Sequence, residues 1–419
     1  ADYVVGNPPF IGASSMRRAL GDGYVDALRK TWKEVPESSD FVMYWWNKAA
    51  DLVRNGDIKQ FGLITTNSLR QTFNRRVIAR HMNEKKPLSL VFAIPDHPWV
   101  DAGEGAAVRI AMTVGVGGEQ LGVTGQLLRE TKGEKNTREF DIRWAGGKIL
   151  ANLRIGADVA STTILKGNLD LSYEGIKPHG MGFVLSSTER QYFAHLDGDF
   201  ANSVIRPYVN GRDILQGSRG VFIIDFYNRP LEAIRINAPA LLQRVIDTVK
   251  PSRDQNARKS RKENWWIFGE PCGALRLATA EIDRYIVTVK TAKHRVFLFL
   301  ESAVLPDSKL ITVALDSPLA LGVLSARLHF VWSLATGSAL EDRPTYAIRD
   351  CFEAFPFPSP DEATTIRIAT LAEQLDTHRK RQQEQHPGLT MTGMYNVLEK
   401  LRREESLTEK EKQIHEKGL

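Results

Sequence analysis

The chain has 419 residues, a formal charge of +6, a hydrophobic share of 42% and two cysteines, Cys272 and Cys351. That length exceeds one compact domain and predicts two or three. Two cysteines exclude a disulfide framework, and with no CxxC pair or His cluster at ligand spacing no metal is expected. No apolar run reaches membrane length, because Glu301 interrupts the best one, Val296–Leu300. The modest basic excess favours a polyanionic partner over a membrane.

The first element is a short apolar strand, Tyr3-Val4-Val5, followed by Gly6 and the rigid turn Asn7-Pro8-Pro9-Phe10. An amino group on an aromatic base is a poor nucleophile, since its lone pair is delocalised into the ring. Two acceptors draw that pair out of conjugation, and the Asn7 side-chain oxygen and the Pro8 carbonyl supply two. The prolines fix φ and remove competing donors, and Phe10 offers a stacking face to a base lifted from its duplex. The same four residues also read as a plain turn from strand to loop. Ser38-Ser39-Asp40 predicts a helix start. The helix runs from Phe41 to Val53 with Phe41, Tyr44, Trp45, Ala49, Leu52 and Val53 on one face, and Asn55-Gly56 stops it. A buried strand at Phe61–Asn67, a helix at Ser68–Ile78 and strands at Leu88–Pro95 and Ala106–Val116 follow. This order is the second half of a doubly wound α/β sheet. The glycines at 103–105, 115–118 and 146–147 open no helix and read as turns.

The Asn7-Pro8-Pro9-Phe10 turn resembles the catalytic motif of amino-group DNA methyltransferases. Ser39-Asp40-Phe41 and the stretch from Gly62 to Leu69 are similar to the helix and strand signatures of the gamma-class adenine methyltransferase domain, as found in restriction-modification polypeptides of the type IIG and IIL kind. The likeness covers residues 1 to about 118 closely. It implies an α/β fold: the C-terminal half of a Rossmann-like methyltransferase sheet, then a mixed α/β target-recognition domain and a helical tail. It further implies a cytoplasmic, site-specific, base-flipping DNA adenine-N6 methyltransferase that uses S-adenosyl-L-methionine on double-stranded DNA. Asn7, Pro8, Pro9 and Phe10 are its expected catalytic residues, with Phe10 and Phe73 sandwiching the extruded base. The family places its cofactor strand and Gly-rich loop before the turn. The chain is therefore expected to be an inactive fragment that lacks upstream methyltransferase elements and possibly a nuclease from the same polypeptide. Two other readings stay open. One is a DNA-recognition module without catalysis. The other is an RNA or protein amino-group methyltransferase, against which the long basic region after the turn speaks.

From Glu119 onward, short strand-like runs at Phe140–Trp144, Val221–Phe226, Tyr285–Val289 and Leu310–Leu315 alternate with helical stretches at 238–249 and 320–334. The expected boundaries are 1–118 for the catalytic half, 119–358 for target recognition and 359–419 for the tail. Val209–Ile214 and Asn264-Trp265-Trp266 are similar to framework segments of such recognition domains, and Phe355-Pro356-Phe357-Pro358 to their closing segment. Two basic regions are candidates for DNA. Lys259, Arg261 and Lys262 lie in a dense cationic stretch that suits phosphate contacts or a solvated helix face. Lys290, Lys293 and Arg295 lie in a turn between apolar strands, which reads as a base-reading loop or an ordinary hairpin. Ile366, Ile368, Leu371 and Leu375 predict the buried stripe of a helix over Glu362–Gln385, and the charged stretch 394–419 a helical extension that frays. The Asp and Glu-x-Lys strand pair of a magnesium nuclease is not found, so no nuclease is expected in this chain.

Overall fold

A computed structural model describes residues 1–99, 109–132, 138–156, 162–340 and 343–419. The chain divides into two compact units, Ala1–Ser161 and Thr162–Leu419. The expected turn at 103–105 lies outside the described residues.

In the first unit, β1 (Tyr3–Gly6) leads through the Asn7 turn to the short helices α1 (Met16–Leu20) and α2 (Asp22–Thr31). Next come α3 (Val42–Asn55), β2 (Gln60–Thr66), a 3-10 turn at Asn67–Arg70 and α4 (Thr72–Met82). Strands β3 (Leu88–Pro98), β4 (Arg109–Gly117), β5 (Gly122–Lys132) and β6 (Arg138–Gly147) complete it. The sheet order is β1-β2-β4-β3-β5-β6. Strand β1 runs parallel to β2, β4 is antiparallel to both β2 and β3, and β3 runs parallel to β5. The carboxyl ends of β1, β2 and β3 therefore share one end of the sheet with the start of β4, the end where open α/β sheets place their ligands.

Helix α3 carries the core of this unit. Trp46 rather than the expected Trp45 is buried: Trp46 is 0% and Trp45 52% exposed. The Trp46 ring meets Phe61 edge-on at 5.3 Å, and its indole N–H donates to Thr113 Oγ1 at 3.2 Å. A side chain of this size buries about 150–250 Å², roughly 4–6 kcal/mol of apolar transfer. Gly56, at φ 83°, ends the helix as the Asn-Gly pair predicts. Glycines 115 and 117 lie inside β4 rather than in a turn, and only Gly118 turns, at φ 83°. A Cβ on Gly115 would sit 2.4 Å from the Phe61 ring, so the close packing of β4 on Phe61 requires glycine. The sheet also runs past the boundary expected at 118. Strand β5 pairs with its sequence neighbour β6 and, across the intervening β4, with β3; the latter pairing leaves no compositional mark.

The second unit holds two four-stranded sheets. One has the order β13-β9-β10-β8, the other β12-β11-β14-β7. The chain enters through β7 (Ser172–Glu174) and β8 (Val184–Leu185), then α5 (Ser187–Val204), which breaks at Gly198. Strand β9 (Ile205–Val209), α6 (Gly211–Gln216), β10 (Phe222–Ile224), α7 (Leu231–Asn237) and α8 (Pro239–Thr248) follow. The basic stretch forms α9 (Lys250–Asp254) and α10 (Lys259–Glu263), and α11 is Gly273–Ala278. Strands β11 (Arg284–Val289), β12 (Phe297–Glu301), β13 (Leu305–Pro306) and β14 (Leu310–Val313) precede α12 (Pro318–Ser325) and α13 (Arg327–Thr336). A two-stranded ribbon, β15 (Ser338–Leu340) with β16 (Arg343–Thr345), leads to a π-helical turn at Ile348–Glu353.

Alternate residues of the β11 sheet are buried on opposite faces. Ile286, Phe297 and Ile311 pack with Leu321 and Phe352, while Tyr285, Val287 and Leu310 pack with Ile214. Burial on both faces explains the near-continuous apolar runs in the sequence. The Asn168 amide donates to the carbonyls of Phe352, Glu353 and Phe355 at 3.3, 3.2 and 2.8 Å, which fastens the start of this unit to its closing segment.

Helices α14 (Glu362–Gln385), α15 (Met391–Arg402) and α16 (Glu409–Gly418) form the tail. The face of α14 that is buried is Ala372, Asp376 and Arg379, while Ile366 and Leu371 are more than half exposed. Small and polar groups are buried there because Gly322 of α12 lies against Ile368 and Ala372, and because Arg379 and Asp376 bond the backbone of β12 at Phe297 and Phe299. The stretch expected to fray, 394–419, is helical as expected. Met391 and Met394 are buried with Val296 of the sheet domain, and Thr408 with Glu411 forms a capping box on α16. No single described helix is long and apolar enough to cross a membrane.

Candidate active site

Asn7 leaves the end of β1, the edge strand, whose Tyr3 and Val5 side chains are 60% and 85% exposed. Among the described residues, nothing donates to the Asn7 side-chain oxygen or the Pro8 carbonyl, and Asn7 is exposed. Two unengaged acceptors thus sit together on a proline-stiffened turn. Phe10 is 38% and Phe73 44% exposed, unusual for large rings whose flanks are firmly held.

Both flanks are held by Ser39-Asp40-Phe41. The Phe41 amide donates to the Ile11 carbonyl at 2.9 Å, and the Ala13 amide to Asp40 Oδ1 at 3.0 Å, which fixes the chain just after Phe10. Ser39 Oγ donates to the Phe73 carbonyl at 3.2 Å. Asp40 Oδ2 accepts from Ser68 Oγ at 2.6 Å and from Asn74 Nδ2 at 2.8 Å. Asn74 is 3% exposed and also bonds the Ser68 carbonyl. Ser39 and Asp40 therefore do not cap α3 as expected; no side chain caps it, because this carboxylate is already committed to three other donors. Sequence reasoning placed the segment correctly and missed its partners, which lie 27 to 34 residues away. The guanidinium carbon of Arg76 stands over the Phe73 ring, 5.2 Å from its centroid.

The candidate DNA residues divide by environment. Lys259 is 86% exposed at its side chain, 3.7 Å from Glu263, and Lys262 is exposed. Arg261 is turned inward, donating to Glu270 Oε1 at 3.0 Å and meeting His179 Nε2 at 3.1 Å. The Lys290–Arg295 turn is not a free loop. Thr291 bridges to Thr345, and the Ala292 amide donates to the Pro344 carbonyl. Lys290 pairs with Glu174, and Lys293 Nζ donates to Asn396 Oδ1 at 2.6 Å. Arg295 bonds the carbonyls of Val289 and Pro344 and lies 5.0 Å from the Tyr346 ring centroid. Burial holds its guanidinium below the ordinary range. The framework segment at 209–214 folds as a capped turn, Asn210 and Asp213 bonding each other's backbone, with Asp213 gripping Arg219 at 2.7 and 2.8 Å.

The sequence profile of the MmeI DNA-methyltransferase domain matches residues 1–127, and that of the MmeI target recognition domain residues 162–359. The chain belongs to the MmeI family, whose DNA-methyltransferase and target recognition domains together match most of its length. A solved structure of the type IIL restriction-modification enzyme MmeI in complex with DNA aligns at a TM-score of 0.71 and 20% identity, over 94% of this chain and 51% of that one. The two share a fold, and this chain spans about half the length of that relative. The type IIG restriction endonuclease BpuSI aligns over 89% of this chain and 49% of its own, at 8% identity and a TM-score of 0.34. A DrdV-DNA complex aligns over 90% and 44%, at 11% identity and a TM-score of 0.35. Neither of these last two carries weight at that similarity. No curated protein matches the sequence.

Methyltransferases need a methyl donor, and the glycines that could cradle one are placed as follows. Among the described residues, glycines 115 and 117 lie within antiparallel β4, and glycines 146 and 147 end β6, so no Gly-rich turn opens a helix behind a parallel strand. What the first unit presents at this end is two unengaged acceptors and two partly exposed rings.

Proposed function

We propose that this chain is the amino-group-holding and target-recognising part of a site-specific DNA adenine-N6 methyltransferase. The single observation that carries the reading is the pair of unengaged acceptors at Asn7 and Pro8, together with two partly exposed rings, Phe10 and Phe73, whose adjoining backbone is anchored by one segment, Ser39-Asp40-Phe41. Asn7 Oδ1 and the Pro8 carbonyl accept the two N–H bonds of the target amine, Pro9 stiffens the turn, and Phe10 with Phe73 stacks the extruded base. Lys259 and Lys262 meet phosphates, while Arg261, Lys290, Lys293 and Arg295 are engaged by contacts within the fold. S-adenosylmethionine is the donor this reading requires. Its cradle is supplied by a cofactor-binding half that extends the sheet along the open edge of β1, joined upstream in the same polypeptide.

The test is to express the chain joined to that half in a host whose DNA is free of methylation, and to digest the host DNA to nucleosides. N6-methyladenine, lost with Asn7→Ala, is the expected product. N4-methylcytosine would overturn the choice of adenine. Methylated RNA or protein with unmodified DNA would overturn the substrate class.

A further inference from the structure

At the same end of the first unit's sheet as Asn7 lies a cavity of about 260 Å³ that no step above uses. Four arginines line it, Arg70, Arg109, Arg143 and Arg154, against one acid, Asp96. That acid is already committed, accepting from Arg109 Nε at 2.6 Å and from Asn67 Nδ2 at 3.2 Å. Arg70 is left over. It sits in the turn between β2 and α4, its Nε is buried without a hydrogen-bond partner, and among the described residues its guanidinium bonds nothing. Burial, and then the charges of Arg154 and Arg109, pull it below the ordinary range, only partly offset by Asp96. A buried cation surrounded by cations and lacking a partner is costly unless an anion completes the site.

We infer that this pocket takes one backbone phosphate of the bound DNA strand, with Arg70 at its floor and Arg143 and Arg154, both exposed, at its rim. A guanidinium fork matches phosphate oxygens in pairs, and the three forks not committed to Asp96 suit a phosphate group. The position fits. Strand β3, which carries Asp96, is three places from β1 in the sheet. That is about 14 Å from the Asn7 turn, a few nucleotide steps at about 3.4 Å of rise each. Arg70 also precedes Phe73 by one turn of chain, so a phosphate held there would brace the strand on the side from which the base leaves. This inference rests on the DNA reading above.

The full chain, wild type and with Arg70→Met or Arg154→Gln, is titrated with a labelled duplex across a salt series, and its thermal unfolding is followed with and without orthophosphate. Each variant is expected to weaken duplex binding roughly tenfold at low salt and to lower the salt slope by about one. Neither variant lowers Tm, because each removes a cation the fold does not pair. Unchanged duplex binding by a folded Arg70→Met variant overturns the pocket alone. A wild-type chain that binds no duplex overturns the DNA reading and this ligand with it. Stabilisation of the wild type by orthophosphate, weakened in Arg70→Met while duplex binding is unaffected, assigns the pocket to a free phosphate and overturns the backbone assignment. A fall in Tm with no change in salt slope makes Arg70 a structural residue.

Discussion

Asp40 and Asn74 hold each other reciprocally: the Asp40 amide donates to Asn74 Oδ1 at 2.9 Å, and Asn74 Nδ2 donates back to Asp40 Oδ2 at 2.8 Å. This pair ties the segment before α3 to the first turn of α4, and so sets where Phe73 stands relative to the chain that follows Phe10. Replacing Asn74 with Ala removes both bonds and strands buried partners on Asp40 and Ser68. The expected cost is about 2 kcal/mol of stability, read from urea unfolding. Phe73→Ala, at a half-exposed ring, should cost well under that. Equal losses would mean that Phe73 is a core residue.

For catalysis the decisive variant is Asn7→Ala in the polypeptide that carries the cofactor-binding half. Loss of one preorganised polar group at the reacting centre is expected to slow methyl transfer by about 10²–10³-fold. DNA affinity should hold, since phosphate contacts dominate it. Labelled-methyl incorporation and fluorescence anisotropy separate the two, and Tm should not move because Asn7 is exposed and unbonded.

The two basic regions should respond differently. Lys259→Ala and Lys262→Ala each lower the salt slope of duplex binding by about one, on cognate and scrambled sequences alike. Arg295→Ala acts on the fold instead. It strips the carbonyls of Val289 and Pro344 of their donor and uncovers Tyr346, for an expected loss of about 3 kcal/mol. A stable Arg295→Ala protein with relaxed sequence discrimination would return that residue to base reading.

Acid should weaken both units. Burial, then Arg80 and Arg54, lowers His81 to about 3, and burial, then Arg295, lowers His329 to about 3. An unfolded histidine titrates near about 6.5. Each ring is therefore neutral when folded and takes up a proton on unfolding below that pH. The stability is complete above about pH 6.5 and is lost as pH falls towards about 3, at about 1.4 kcal/mol per pH unit for each histidine. Urea midpoints between pH 7 and 4 measure the slope, and a flat profile would contradict it.

The order of elements around the Asn7 turn was legible because each rests on local periodicity and local punctuation, as with the Asn55-Gly56 stop. Trp45 and Trp46 were exchanged because adjacent positions differ by about 100° around a helix, and the deciding contact, Thr113, lies in the third strand after it. Asp40 read as a cap because caps are local, whereas its real donors come from residues 13, 68 and 74. In α14 the leucines drew attention, yet the neighbouring helix offers a glycine, so Ala372 fits where Leu371 does not. The arginine pocket left no trace in the sequence, since Arg70, Arg109, Arg143 and Arg154 come from four separate segments.

Asn168 carries one more implication. Its single amide joins carbonyls from residues 352 to 355, so a stretch of nearly two hundred residues begins and ends at the same spot. A segment with coincident ends behaves as a cartridge. Another chain can take its place without altering the span its neighbours must bridge, provided an Asn or an equivalent donor closes the seam. Variation can then accumulate inside the loop while its two ends stay fixed.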